Sequence, residues 1–308
     1  MKIWIALFVA AFAAGASAQS CQCETMKWAT CDGTPCSCYV MTGDNYKQQL
    51  DCTKLVPKCI LMKAEMYRAR KGQDTRIIVG GKPVETAFVD NDGIYDPECE
   101  SDGKFKAKQC NNTEECWCVN SAGVRRTDKG DKNLKCEKLV ETFWVRLQLT
   151  HKELPKPVDE KLLKTAIADA IHKRYKNFNK DLVDDIQYDP DARLIVADVK
   201  KAKGERKTDI ANMAYYMEKD VKVLPLFKNQ DKFEPMVGTQ KLEMEKILVY
   251  YVDEEAPTFT MKNLSGGIIA VIVVVVLAVV AGLLILFFTR RRQNQRYNKA
   301  QQREMEAM

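Results

Sequence analysis

Twelve cysteines are the residues of this 308-residue chain whose type and spacing point most directly to chemistry, and all lie between Cys21 and Cys136. They form two sets of six: Cys21, Cys23, Cys31, Cys36, Cys38 and Cys52, then Cys59, Cys99, Cys110, Cys116, Cys118 and Cys136. An even count in an exported chain is the arithmetic of disulfides, with about 15 pairings open to each set. In the three C-x-C steps both thiols face the same way from an extended segment, so each is expected to bond elsewhere. Zinc is the rival for paired cysteines. It would want C-x-x-C spacing, and His151 and His172 are the only histidines. Neither histidine lies in a Cys- or Asp-rich motif, so no catalytic constellation is visible and neither a cofactor nor a metal is expected.

These residues need an oxidising compartment, and the chain ends supply the address. Residues 1–18 read as a signal peptide. Lys2 gives the positive region, Ile3 to Ala14 the apolar region, and Ala16-Ser17-Ala18 the cleavage site. Residues 266–288 are 23 uncharged, almost wholly apolar positions, long enough as a helix (about 35 Å) to cross a bilayer. Arg290, Arg291 and Arg292 follow as a stop-transfer signal, so the N-terminus is expected outside and residues 289–308 inside. Within the span, Ala278 and Gly282 have small-x-x-x-small spacing, which lets a second helix approach closely.

The formal charge of +6 follows the same topology. Lys2 is the one charge of the first 18 residues; the last 20 carry six bases and two acids. The stretch between holds 41 bases against 40 acids, which disfavours a nucleic-acid-binding body.

Residues 19–58 form a cluster too small to hold a core without disulfides. Residues 59–136 carry the second cluster. Between Cys59 and Cys99 lies a long insert with Arg68, Arg70, Lys71 and Arg76, read as an exposed, protease-sensitive loop because Gly72, Gly80, Gly81 and Pro83 accompany them. Arg76-Ile77-Ile78-Val79-Gly80-Gly81 has the form of a trypsin-like activation cut. No Gly-Asp-Ser-Gly stretch follows, so the segment reads as a target and not an enzyme. Residues 137–265 lack Cys. Phe143, Val145, Leu147 and Leu149 alternate as a strand. Leu162, Leu163, Ala166, Ile167, Ala170 and Ile171 recur at helical spacing after Pro157 and Asp159. Asp189-Pro190-Asp191 marks a turn between two strands. Asp209 starts a helix with Ile210, Met213, Ala214 and Met217 on one face, and Ile247 to Val252 closes as a strand. The order β-α-β-β-α-β predicts an α+β two-layer domain.

Gln109-Cys110, Cys116-Trp117-Cys118-Val119 and the six ordered cysteines from Cys59 to Cys136 resemble a thyroglobulin type-1 repeat. Leu61 to Met66, Gly123 to Asp128, Ala214-Tyr215-Tyr216, Tyr250 to Glu254 and Ile269 to Val276 extend the likeness. From about Cys21 to the C-terminus the chain resembles the epithelial cell adhesion molecule and trophoblast cell-surface antigen family. Tyr297-x-Lys299-Ala300 leans towards the first of its two branches. The fold class expected is a small disulfide-rich N-terminal module, a thyroglobulin type-1 module, an α+β Cys-free domain and a single transmembrane helix.

The resemblance implies the pairs Cys21–Cys36, Cys23–Cys52, Cys31–Cys38, Cys59–Cys99, Cys110–Cys116 and Cys118–Cys136. It implies a cut near Arg68 to Arg76 and a glycan on Asn111. Asn263 begins a second sequon set close against the span. A family sequon just after Met66 is absent, since Tyr67-Arg68 stands there. The implied function is epithelial cell-cell adhesion and signalling from the plasma membrane, at the lateral surface and junctions. The implied partners are a second copy in a cis-dimer, claudin-type membrane proteins, and shedding and intramembrane proteases that release the tail. The alternative is inhibition of cysteine proteases by the thyroglobulin type-1 module.

Overall fold

A computed structural model describes residues 21–73, 95–111, 114–156, 158–176, 178–222, 225–230, 232–259 and 266–306. The signal-peptide expectation, Arg76 and Asn263 lie outside the described residues. There are two compact units, one running to Thr258 and the other from Phe259.

The first unit begins with an antiparallel sheet of β1 (Thr30–Asp32), β2 (Ser37–Gly43) and β3 (Tyr46–Leu50), in that order. Its apolar interior is thin, with Cys23, Met26, Cys38 and Val40 buried. Three disulfides brace it: Cys21–Cys36, Cys23–Cys52 and Cys31–Cys38.

Helix α1 (Lys58–Arg70) follows. Good helix formers fill it, and neither Gly nor Pro occurs between Lys58 and Lys71. It ends where Gly72 turns to φ +68°. Arg68 and Arg70 therefore stand on the last helical turn and Lys71 caps it, which corrects the loop expected there. The first residue able to break the helix is Gly72, beyond all three.

Strands β4 (Lys108–Cys110) and β5 (Cys116–Cys118) form a short ribbon, with disulfides Cys59–Cys99, Cys110–Cys116 and Cys118–Cys136 around it. Trp117 is buried on this ribbon, with Tyr95 edge-on at 5.6 Å.

The Cys-free part runs β6 (Thr142–His151), α2 (Glu160–Arg174), β7 (Val183–Asp189), β8 (Leu194–Lys200), α3 (Ile210–Lys222), β9 (Met236–Val237), β10 (Gln240–Lys241) and β11 (Met244–Asp253). The main sheet has the order β11-β6-β8-β7, antiparallel throughout. This is the split β-α-β arrangement, with helices on one face. Val145, Leu147 and Leu149 point into that layer and are buried. Asp159 caps α2 by accepting from the Lys161 and Leu162 amides, and Asp209 accepts from the Asn212 amide at 3.0 Å. Asp189 accepts from Asp191 and Ala192 to close the turn. Leu163, Ile167 and Ile171 form the inward stripe of α2. Leu162, expected in that stripe, is 52% exposed, one residue off its line.

Helix α3 differs most from expectation. Every residue from Ile210 to Val221 is buried. One flank meets the sheet. The other meets α1 and the chain before it: Tyr216 Oη donates to the Thr25 carbonyl at 2.9 Å and accepts from the Val56 amide at 3.1 Å, and Asn212 accepts from the Lys58 amide at 2.7 Å.

The second unit holds α4 (Gly266–Glu306), 41 residues long. Within it, Ala270–Arg291 is long and apolar enough to cross a membrane. The helix continues through Arg290, Arg291 and Arg292 into the basic segment.

Candidate functional site: an open sheet face and the polar junction behind it

The face of the main sheet opposite the helices carries the second set of each strand's side chains. Register places Tyr250, Arg146 and Asp198 in one row, Leu248, Gln148 and Val196 in the next, and Val252, Trp144 and Lys200 in a third. Leu248 and Tyr250 are 46% and 47% exposed. Arg146 grips Asp198 with both prongs, at 2.7 and 2.8 Å, and this hydrogen bonding holds the Asp198 carboxyl below its usual range. The Trp144 ring has the Arg146 guanidinium at 5.0 Å and the Lys200 ammonium at 4.7 Å. Lys200 also pairs with Asp184 at 2.7 Å. Exposed Leu248 and Tyr250 and half-buried Trp144, with the fixed Arg146–Asp198 pair between them, make a mixed apolar and charged face of the kind that protein interfaces use.

Behind the sheet lies a buried polar junction between α1 and α3. Glu65 is 1% exposed and receives the Lys219 ammonium at 2.6 Å and the Tyr215 hydroxyl at 3.1 Å. The Lys58 ammonium lies over the rings of Tyr251 (4.5 Å) and Tyr215 (5.1 Å). Burial lowers its pKa to about 8, against a partial offset from Glu218. Asp220 is buried and accepts from Arg174 at 2.7 and 3.0 Å and from the Tyr175 hydroxyl at 2.8 Å.

The Lys58 shift has a sign that can be measured. The unfolded chain keeps this proton to about pH 10.4, and the folded chain releases it near 8. Between those values the unfolded state binds more protons, so stability rises with pH, by up to about 3 kcal/mol for this group. Below pH 8 the cost is present in full. Denaturation of wild type and Lys58→Met from pH 7.5 to 10 tests this: the difference between the two curves should slope, and a flat difference would show that Lys58 is hydrated.

The other expected site residues are placed as follows. Arg68 lies over Trp28 at 5.0 Å, Arg70 pairs with Asp96 at 2.9 Å, and Lys71 pairs with Asp44 at 2.5 Å. Asn111 is half-buried, donating to Glu115 Oε2 at 3.1 Å and accepting from the Glu115 amide at 3.2 Å. Ala278 is exposed, and a Cβ added to Gly282 would meet nothing within 4 Å. His151 donates from Nδ1 to the Lys152 carbonyl and accepts from Tyr188 Oη at Nε2, a buried structural role. His172 is half-buried and donates from Nδ1 to the Phe178 carbonyl at 2.7 Å. Sequence reasoning missed Glu65, Lys219, Lys58 and Asp220. The only signal for Glu65 was its position inside the apolar run from Ile60 to Met66.

These features define a class: a disulfide-braced thyroglobulin type-1 module joined to a Cys-free α+β domain, followed by one helix, among the described residues, able to cross a membrane. The thyroglobulin type-1 repeat family matches residues 77–136, and the family described as "EPCAM/Trop-2, C-terminal" matches 142–253. The chain is 41% identical to mouse "Epithelial cell adhesion molecule" over 297 residues, covering 94% of this chain and 90% of the relative. It is 42% identical to the human protein of that name (86% and 82% covered). It is 38% identical to mouse "Tumor-associated calcium signal transducer 2" (82% and 79% covered). The chain belongs to the EpCAM/Trop-2 family.

Proposed function

We propose that this chain is a cell-surface adhesion and signalling protein, anchored in the plasma membrane by α4 with its disulfide-braced part outside. The observation that carries the reading is the open sheet face, where exposed Leu248 and Tyr250 and half-buried Trp144 surround the Arg146–Asp198 pair. We assign it to a cis-dimer in which the segment between Gln73 and Tyr95 of one copy docks on the sheet of the other. Adhesion follows from presenting paired ectodomains at the lateral surface of epithelial cells. Asn111 carries a glycan, Ala278 and Gly282 meet a neighbouring helix such as that of a claudin-type protein, and surface and intramembrane proteases release the tail. The proposed divisions are residues 1–18, 19–58, 59–136, 137–265, 266–288 and 289–308. No catalytic role, metal or cofactor enters.

The test is sedimentation of the secreted ectodomain, residues 19–265. The wild type should be a dimer. Leu248→Asp with Tyr250→Asp should weaken it at least 100-fold, as burying two charges in a central patch does. Cutting after Arg76 with trypsin should loosen it as well. A monomeric wild type, or unchanged dimer mass after a verified cut, would overturn the reading. The thyroglobulin type-1 match supports a second one, inhibition of cysteine proteases; nanomolar inhibition of a cathepsin L-like enzyme by the ectodomain would establish it.

A further inference from the structure

The two sets of cysteines are all bonded, but they are packed differently. In the N-terminal module the Sγ atoms of Cys21, Cys31, Cys36 and Cys38 all lie within 4.8 Å of one another. The Cys21–Cys36 and Cys31–Cys38 bonds are therefore side by side, with Cys36 Sγ 4.0 Å from Cys38 Sγ. Cys38 Sγ also lies within 4.8 Å of both sulfurs of Cys23–Cys52. Among the described residues, the cysteines from Cys59 to Cys136 form no such group.

The local fold explains the crowding. Register sets Cys31 opposite Cys38 across β1 and β2, and Cys36 enters from the turn between those strands. Exposure is graded through the group. Every residue from Asp32 to Cys36 is exposed, Cys21, Cys31 and Cys52 are half-buried, and Cys23 and Cys38 are buried. A reagent in solvent thus meets Cys36 first. A thiolate attacks one sulfur of a disulfide and expels the other, so a bond exchanges within a fold only where a third sulfur can reach it. Here each of the two adjoining bonds has that third sulfur beside it.

We propose that this group is a thiol–disulfide exchange site, entered by an external small thiol at Cys36 and extended to the neighbouring bond. In the first step the external thiolate bonds to Cys36 Sγ, the Cys21–Cys36 bond breaks, and Cys21 leaves as a thiolate. In the second, Cys21 bonds to Cys38 Sγ and expels Cys31 as a thiolate. In the third, Cys31 bonds to Cys36 Sγ and returns the external thiolate. The sum converts Cys21–Cys36 and Cys31–Cys38 into Cys21–Cys38 and Cys31–Cys36. One S–S bond forms and one breaks at each step, so the protein gains neither electrons nor protons and the thiol acts as a catalyst. Cys23–Cys52 stays closed throughout and keeps the start of the chain fastened beside the sheet. The inference is independent of the sheet-face dimer, because none of these cysteines lies on the main sheet.

The experiment treats the full chain in detergent micelles with millimolar reduced glutathione at neutral pH. Free thiols are trapped with N-ethylmaleimide at intervals, and the linked peptides are fragmented in a mass spectrometer. Glutathione should appear on Cys36 about tenfold or more faster than on any cysteine from Cys59 to Cys136. The Cys21–Cys38 and Cys31–Cys36 bonds should follow. In the variant with Cys21→Ser and Cys36→Ser, loss of the Cys31–Cys38 bond should be about tenfold or more slower than in wild type, because its route through Cys36 is gone. Equal capture across both sets, an unchanged Cys31–Cys38 bond once Cys36 carries glutathione, or equal loss in variant and wild type would each overturn the proposal. Should the variant fail to fold, the order of events in the unaltered chain decides. Cys36 modified before Cys31 and Cys38 supports the site, and either of those modified first overturns it.

Discussion

Lys219→Met is expected to lower the unfolding free energy of the disulfide-intact protein by about 3–5 kcal/mol. Lys219 and Glu65 meet at 2.6 Å between α1 and α3, both buried. Losing the ammonium leaves a carboxylate in a dry junction without its cationic partner. Its alternatives are to take up a proton, which costs more as pH rises, or to part the two helices and admit water. Removing both charges should be far milder. In Glu65→Leu with Lys219→Met the apolar replacements spare both desolvation penalties, and such exchanges are often near neutral. A double-mutant cycle in denaturant, with disulfides kept closed, separates the pair from its surroundings. A single-mutant cost under about 1 kcal/mol would mean that water already reaches Glu65.

Gly123→Ala should be comparably severe, for reasons of space. Gly123 has φ +77°, and a Cβ there would stand 2.5 Å from the Phe105 ring, which is buried and cannot retreat. The left-handed backbone costs a non-glycine residue about 1–2 kcal/mol, and overpacking adds about 1–3. Adding Phe105→Leu should return part of the steric cost and none of the backbone cost. The turn is also held by Asn120 Oδ1, which accepts the amides of Ala122 and Val124 at 3.0 and 2.8 Å. A shift at Gly123 therefore travels to Asn120. Thermal unfolding of the wild type and the two variants, with the yield of secreted protein, measures the effect. A Gly123→Ala loss under about 1 kcal/mol would show that the Phe105 ring yields.

The Cys-free sheet was legible because each strand has one buried face, and period-two alternation records it. Val145, Leu147 and Leu149 carry that signal unaided. Asp159 and Asp209 announced their helices, since a short acceptor at the first turn has one common use. The open face was not legible. Leu248 and Tyr250 alternate with buried neighbours as polar residues would, and only the register places them beside Trp144 and Val196. Disulfide pairing is beyond spacing for the same reason: six thiols in a row carry no partner information. Helix α3 misled differently. Its Asn212, Tyr215 and Lys219 look like a solvated flank, and they are buried because their partners, Lys58 and Glu65, come from α1. Arg68, Arg70 and Lys71 misled because Gly72, Gly80, Gly81 and Pro83 follow them in sequence, while helix formation depends on the absence of a breaker before Gly72.

The burial of α3 on both sides also sets a clock. Glu65 and Lys219 are 154 residues apart, so ribosomal synthesis at about 5–20 residues per second separates them by roughly 10–30 s. For that interval α1 has been made and its acidic centre has no ammonium to meet. The cysteines through Cys136 are all made before Lys219 exists. Oxidation can therefore run ahead of the helix that completes the interior, and a chaperone that shields α1 has a defined period in which to act. The late arrival of α3 means that the interior of the first compact unit is completed only once its last part has been made.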